Sequence, residues 1–434
     1  MNKWTRLALA AAALLLIFFS APFWLPSALA VFAGEVEPDQ SSLGVTSDQA
    51  IFIIDSGWLT GQTTQRVLAA PQLLAWSADQ AEPVWASQTG FSYGGFHDAA
   101  SARIFLIEQR NVNHESLLDL TIGEQSLYPP TAEWPLYLAV VDADNGDVIS
   151  RTRLEQKFIY TYSNGIGRPI AVKGNTLYFV TYGALNNLIA YDLSSAEFTG
   201  ETWDLCETSY PMQVSFSESL NGMATLCMDY STGMEASLTF TPLDGEGQTS
   251  IDIPVLGEEE YMSGNGLLLG ANGMAYVLDT DARAIVEVDL VSMEITRTVN
   301  YVENLQAQSS LGETFVTWLL EQSAQTAHAK RWMSMSTISP DGHWLAVDGG
   351  MGANYGTARN VFVIDLHTLQ ATQELELPAT PTSLIFGQDN LLYAFLDKRS
   401  MAVGTRVIAF DLSTGTQSEF AVTMASVAWE VLGR

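Results

Sequence analysis

The sequence predicts an all-β chain: a seven-bladed β-propeller of four-stranded antiparallel blades, preceded by an N-terminal signal or anchor helix. Three observations predict it. From Gln49 onward, short β-branched and aromatic runs alternate with period two between Gly, Asp, Asn and Ser turns, and long helical periodicity is nearly absent. One element recurs seven times: an apolar strand ending in Asp, a short turn, then a more polar strand. Four of its intervals are about 45 to 52 residues, the length of a four-stranded blade.

In chain order, the leader comes first. Lys3 and Arg6 precede an apolar run from Leu7 to Phe19, followed by Pro22, Pro26 and Ala28-Leu29-Ala30. A charged start, an apolar middle and an A-x-A site make residues 1–30 a secretory signal. Extended to Ala33, the stretch reads instead as an uncleaved anchor, a membrane tether through residues 7–33, although two prolines interrupt that helix. Under both readings the remainder is extracytoplasmic, with 31–48 as linker and 49–434 as propeller.

The seven copies of the repeat end their first strands at Asp55, Asp142, Asp192, Asp244, Asp289, Asp365 and Asp411. A carboxylate at a strand end accepts hydrogen bonds from turn amides two residues on, so these aspartates are expected to be structural. The two wide intervals predict insertions, 108–134 and 301–331. After the seventh copy, Ala425 to Leu432 supplies one more apolar strand. It is expected to complete the first blade, because an open ring leaves unpaired strand edges.

Ile338-Ser339-Pro340-Asp341-Gly342-His343-Trp344-Leu345-Ala346-Val347, with Val363-Ile364-Asp365-Leu366 downstream, resembles the YVTN, TolB and WD40-like repeats of bacterial propellers. These belong with the quinoprotein amine dehydrogenase β-chain-like propellers. Phe410-Asp411-Leu412-Ser413-Thr414-Gly415 is similar to the D-x-x-T-G turn of the YVTN type. The two C-terminal blades carry the resemblance, and the middle blades are degenerate. It implies the fold but no single activity, since such repeats serve scaffolds, transporter accessories and dehydrogenase subunits alike.

Nineteen Lys and Arg against 49 Asp and Glu give a formal charge of -30. That charge repels phosphate backbones and anionic membrane surfaces, which argues against nucleic acid as a partner. The 47% hydrophobic content supports a large core, and the 16% charged content lies below the roughly 25% of ordinary soluble domains. Cys206 leads into a hairpin whose second strand holds Cys227. Two readings stay open, a disulfide of an exported protein or two small buried hydrophobes. The absence of C-x-x-C spacing removes support for zinc or redox chemistry.

With strands labelled a to d from the axis outward, alternation puts the b–c and d–a connections on one face. The a–b and c–d turns, with the Asp motif, fall on the other. Both insertions emerge on the first face. In the second, Phe315, Trp318, Leu319 and Ala327 outline a short amphipathic helix within 314–329. Arg110, Arg283, Lys330, Arg331, Arg359, Lys398, Arg399 and Arg406 fall in or beside connections of that face, with Tyr128, Trp134, Tyr182, Tyr230, Trp332 and Tyr355. Arginine beside aromatic side chains suits carboxylates, sulfated sugars or an acidic protein. The plainer reading is dispersed solvated charge, partly paired with local Asp or Glu. The residues expected to bind a ligand or partner are Arg110, Tyr182, Tyr230, Lys330, Arg331, Tyr355, Arg359, Lys398 and Arg399.

Catalytic chemistry is not legible. Gly90-Phe91-Ser92-Tyr93-Gly94 matches G-x-S-x-G, but its flanks read as strands rather than as a strand–turn–helix elbow, and His97 and Asp98 form no triad by adjacency. His97, His114, His328, His343 and His367 lack ligand spacing. Asp142, Asp144, Asn145 and Asp147 miss the Gly position and closing Glu of a calcium loop. No metal or cofactor is expected. The leading expectation is a non-catalytic binding or scaffold module for a protein or an anionic ligand. Its rivals are a propeller enzyme or dehydrogenase component with an axial polar pocket, and an envelope structural element.

Overall fold

A computed structural model describes residues 50–432 apart from 56–57, 61–64, 68–70, 78–81, 110–134, 155–163, 184–186, 207–209, 230–234, 245–246, 255–264, 281, 304–334, 349–359, 380, 388–389, 397–404 and 423–427. The leader and linker fall outside the described residues.

The chain opens with β1 (Ile51–Asp55), a small hairpin of β2 (Trp58–Thr60) and β3 (Gln65–Val67), then β4 (Gln72–Trp76) and β5 (Trp85–Gln88). The second blade is β6 (Phe91–Asp98), β7 (Arg103–Gln109), β8 (Leu136–Asp142) and β9 (Val148–Arg153). The third is β10 (Asn164–Lys173), β11 (Thr176–Gly183), β12 (Asn187–Asp192) and β13 (Glu197–Asp204). The fourth is β14 (Tyr210–Ser217), β15 (Gly222–Asp229), β16 (Glu235–Pro242) and β17 (Thr249–Ile253). The fifth is β18 (Asn265–Leu269), β19 (Met274–Asp279), β20 (Ala284–Asp289) and β21 (Glu294–Asn300). The sixth is β22 (Ser336–Ile338), β23 (Trp344–Asp348), β24 (Asn360–Asp365) and β25 (Gln370–Glu376). The seventh is β26 (Pro381–Phe386), β27 (Leu391–Leu396), β28 (Thr405–Asp411) and β29 (Thr416–Val422), after which β30 (Ala428–Leu432) returns to the start.

Blade 1 is ordered β30-β1-β4-β5, so the last strand supplies its innermost position. The other six blades use four consecutive strands. Strands β30, β6, β10, β14, β18, β22 and β26 ring the axis, each beside the next. This is a seven-bladed propeller of four-stranded antiparallel blades.

Alternation along each strand sends apolar side chains to both faces of a blade, so the core is divided. Seven apolar clusters form, one between each neighbouring pair of blades. Ile53, Leu74 and Trp76 of blade 1 pack on Tyr393, Phe395 and Val407 of blade 7. Phe52, Ile54 and Leu73 pack on Ile104, Leu106 and Ala139 of blade 2. Each blade therefore depends on both neighbours.

The c–d turns follow one geometry. Asp142, Asp192, Asp289, Asp365 and Asp411 end strand c, and each accepts the amide two residues on: Asp144 (2.8 Å), Ser194 (2.7 Å), Val291 (2.8 Å), His367 (2.7 Å) and Ser413 (2.9 Å). Hydrogen bonds from Ser413, then Thr414, hold the exposed Asp411 carboxyl down at about 2. Four residues after each Asp comes a left-handed residue: Gly146, Ala196, Met293, Leu369 and Gly415. Glycine fills that position without strain, so only the last turn reads as D-x-x-T-G although five share its shape. Leu369 is buried in the core between blades 5 and 6, which offsets its backbone cost. Ala196 has no such burial. Ala196→Gly is expected to raise stability by about 0.5–1 kcal/mol in urea unfolding, and unchanged or lower stability contradicts the strain.

Two repeats depart from expectation. Asp55 ends strand b of blade 1, because β1 pairs with β30 on one side and β4 on the other. In blade 4, Pro242 pairs with Gly222 as Asp192 pairs with Thr176, which leaves Asp244 two residues beyond the turn position. The insertions also begin later than 108 and 301. Glu108 lies inside β7, and Tyr301 and Val302 are buried between blades 5 and 6.

The exposed outer strands are interrupted. Thr296 and Thr372 sit at breaks in the β20–β21 and β24–β25 registers, and their hydroxyls donate to Glu287 and Val363 carbonyls, both at 3.2 Å. Such bulges keep an edge strand from recruiting another chain.

Candidate functional site

The b–c and d–a connections share the face on which β1, β7, β11, β15, β19, β23 and β27 end. Connections 56–71, 110–135, 301–335 and 349–359 all belong to it, and the β2–β3 hairpin is a third elaboration that the sequence reading assigned to an outer strand. On the opposite face most a–b and c–d turns are short, as at 99–102, 174–175, 290–293 and 412–415, and the longest is 77–84 in blade 1.

Beneath the elaborated face lie buried carboxylates. At the end of strand b, or one residue before it, four blades carry Asp55, Glu108, Asp279 or Asp348, each no more than 2% exposed. These groups hold the connections. Glu108 accepts the Gly90 amide at 2.6 Å and binds Arg151 Nε at 2.8 Å, while Arg151 also donates to the Gln88 carbonyl. Asp348 accepts the Met335 amide at 3.3 Å, and Asp279 the Ala282 amide at 3.0 Å. In blade 4 the position that Glu108 takes, five residues on from the pair at the c–d turn, is Cys227, which is disulfide-bonded to Cys206 in the connection from blade 3, with Cα atoms 5.9 Å apart. A covalent bond there ties strand b to the preceding connection as Glu108 does by hydrogen bonding.

The innermost strands are irregular at this same end. Register breaks against strand b single out Trp429 in blade 1, Tyr93 in blade 2, Gly167 and Arg168 in blade 3, Met212 in blade 4 and Thr382 in blade 7, and β10 has a second break further along, at Ile170. A bulge re-aims a side chain and is over-represented beside functional sites. Arg168 is half-buried there.

Of the binding residues expected from sequence, Arg110, Tyr230, Lys330, Arg331, Tyr355, Arg359, Lys398 and Arg399 lie outside the described residues, as do Tyr128, Trp134, Trp332 and the helix expected within 314–329. Tyr182 has its backbone in β11, opposite Gly165. Arg283 occupies the turn before β20, its guanidinium 5.9 Å over the Phe362 ring, and braces blade 5 on blade 6. Arg406 is doubly bonded to Glu419 across β28 and β29, both contacts 2.7 Å. For Arg406 the paired-charge reading holds.

Ser92 lies inside β6 with no helix after it, so Gly90–Gly94 is not a nucleophile elbow. His97 is buried against the Phe52 ring at 4.6 Å, toward the opposite end of the same strand. Asp144 and Asp147 donate their amides to Asp142 and Asn145, making paired Asx turns of the acidic loop. Among the described residues, no group of three or more His, Cys, Asp or Glu is placed to hold a metal.

No family model and no curated protein matches the chain. Solved structures do. A periplasmic gluconolactonase of Pseudomonas aeruginosa is 10% identical with a TM-score of 0.53, over 88% of this chain and 98% of that one. A putative 6-phosphogluconolactonase of Bacteroides uniformis is 11% identical with a TM-score of 0.52, over 87% and 98%. The dihydro-haem d1 dehydrogenase NirN is 10% identical with a TM-score of 0.50, over 91% and 76%. At these identities the likeness is one of fold.

Proposed function

We propose that the protein is an extracytoplasmic binding propeller that engages a protein or an anionic ligand on its b–c/d–a face. The observation carrying this reading is the asymmetry: the longest connections, among them 56–71, 110–135, 301–335 and 349–359, and most innermost-strand register breaks fall on one face. The opposite face carries mostly short turns, the longest being 77–84 in blade 1. The disulfide supports an oxidising compartment and so an exported chain. The Phe410–Gly415 turn and the shared geometry of five c–d turns support kinship with YVTN-type repeats.

Replacing Arg359, Lys398 and Arg399 together by Ala is expected to abolish capture of the partner from the native envelope fraction. Equal capture by the variant contradicts the assignment of that face. A second reading, an enzyme opening a sugar lactone, draws on the two similar structures described as gluconolactonases. Proton release from D-glucono-1,5-lactone above the spontaneous rate would favour it, and a rate equal to the blank would dismiss it.

A further inference from the structure

We infer that the outer edge of blade 7, strand β29, is where a second copy of this chain docks, the two strands pairing antiparallel about a twofold axis. The edge lies on the rim, away from the face assigned above, and its pairing is independent of that assignment.

An outermost strand presents unpaired amides and carbonyls to any strand that approaches, and sheets blunt such an edge with bulges or by keeping it short. Six blades do so. In blades 2, 3, 5 and 6 the outer strand breaks register against strand c. Ile149 is the extra residue in β9, Thr199 to Glu201 oppose Ala190 alone in β13, and Thr296 and Thr372 interrupt β21 and β25. In blades 1 and 4 the outer strands β5 and β17 span four and five residues. Blade 7 is the exception. Its β29 pairs with β28 over seven consecutive positions, from Asp411↔Thr416 to Thr405↔Val422, without a break. It is the last strand of its sheet, and among the described residues nothing pairs with its outer edge.

Composition points the same way. Thr416-Gln417-Ser418-Glu419-Phe420-Ala421-Val422 contains neither Pro nor Gly, and Thr, Phe and Val favour strands. Low charge without Pro or Gly marks segments that pair with their own copies. Thr416 to Glu419 and Ala421 are exposed. The one charged residue, Glu419, is answered inside the blade by Arg406, whose Nε and Nη2 each donate to it at 2.7 Å. The edge is therefore neutral.

Charge selects the occupant. Two chains of -30 repel each other over most of their surfaces. Copies meet where that charge is cancelled locally, as at β29 with Arg406. Elsewhere on the rim β13 carries Glu197, Glu201 and Asp204, and β25 carries Glu374 and Glu376. About a twofold axis each copy's edge covers the other's, so assembly closes at two chains. A seam of one strand is smaller than the about 800 Å² per partner of a standard interface, so the dimer is weak and depends on concentration.

The test is analytical sedimentation of the full exported chain between about 1 and about 500 µM, at constant ionic strength. The average mass of wild type is expected to rise toward twice that of one chain across this range. Gln417→Glu with Ala421→Glu sets acids on both sides of Glu419, so that carboxylates oppose one another in the seam. That variant is expected to remain monomeric with a melting temperature near wild type. Thr202→Glu with Thr249→Glu adds the same charge to exposed positions of β13 and β17, and should dimerise as wild type does.

A wild type that stays monomeric at the upper concentration overturns the dimer. Equal association of the β29 variant, or equal loss in the β13 and β17 control, overturns its assignment to this edge. Should the β29 variant melt early, amide exchange of wild type decides. Exchange in β29 is expected to slow at the upper concentration while β13 stays unchanged, and no slowing in β29 contradicts the pairing. Monomeric wild type whose β29 variant alone loses capture of the envelope partner would give the edge to a different protein and overturn docking by a second copy.

Discussion

A chain ending at Val422 is expected to lose its cooperative thermal transition, or to melt at least about 5 °C lower, whereas removal of residues 31–45 should shift melting by under about 2 °C. The first truncation removes β30, whose backbone pairs with β1 from Phe52↔Leu432 to Asp55↔Ala428. It takes Val431 from the core between blades 7 and 1 and Leu432 from the core between blades 1 and 2. Two aliphatic side chains are worth about 1.5–3 kcal/mol each, and an unpaired inner edge adds further cost. The sum, about 5–10 kcal/mol, approaches the whole stability of an ordinary domain. Equal melting of the two truncations would contradict closure by the last strand.

The second large effect is at the disulfide. Replacing Cys206 and Cys227 together by Ser is expected to cost about 3 kcal/mol, the chain-entropy value for a closed loop of this size. At roughly 2.1 cal/mol/K per residue, a protein this long loses on the order of 1 °C per kcal/mol, so melting should fall by about 3 °C. Reduction of the wild type under mild denaturation should give the same shift. The loss should be local in origin, because Cys227 takes in strand b the position from which Glu108 holds the Gly90 amide two blades earlier. Amide exchange should quicken at the blade 3 to blade 4 junction before it quickens elsewhere. Unchanged melting of the double variant would mean that neighbouring packing alone fixes the connection.

The fold was legible because its signals are local. An Asp whose carboxylate bonds the amide two residues on leaves a trace in a short window, as at Asp365 and Asp411. The same locality misled at Asp55, because strand b also ends in acid here, and at Asp244, where Pro242 takes the turn position. Blade count survived both, since each misplaced Asp still lay within its own blade. The left-handed turn residues were hidden where Ala196, Met293 and Leu369 stand in for glycine.

The site was less legible. Loop class could be assigned from strand alternation, and that fixed which face is elaborated. The buried carboxylates of strand b and the bulge in β10 depend on register between strands, which alternation within one strand does not record. A recurring acid at the close of the second strand in four blades, as in IFIID, IFLIE, YVLD and LAVD, was the available signal. The Gly165-Ile166-Gly167-Arg168-Pro169 run was another, since two glycines and a proline inside a strand mark a bulge.

The most direct test of the face assignment is an amide-exchange footprint of the full exported chain with its envelope partner bound. Protection is expected at the connections that follow β1, β7, β23 and β27 and at the start of β10. Protection confined to the a–b and c–d turns, around Ala102, Ala196, Met293 and Gly415, would contradict it.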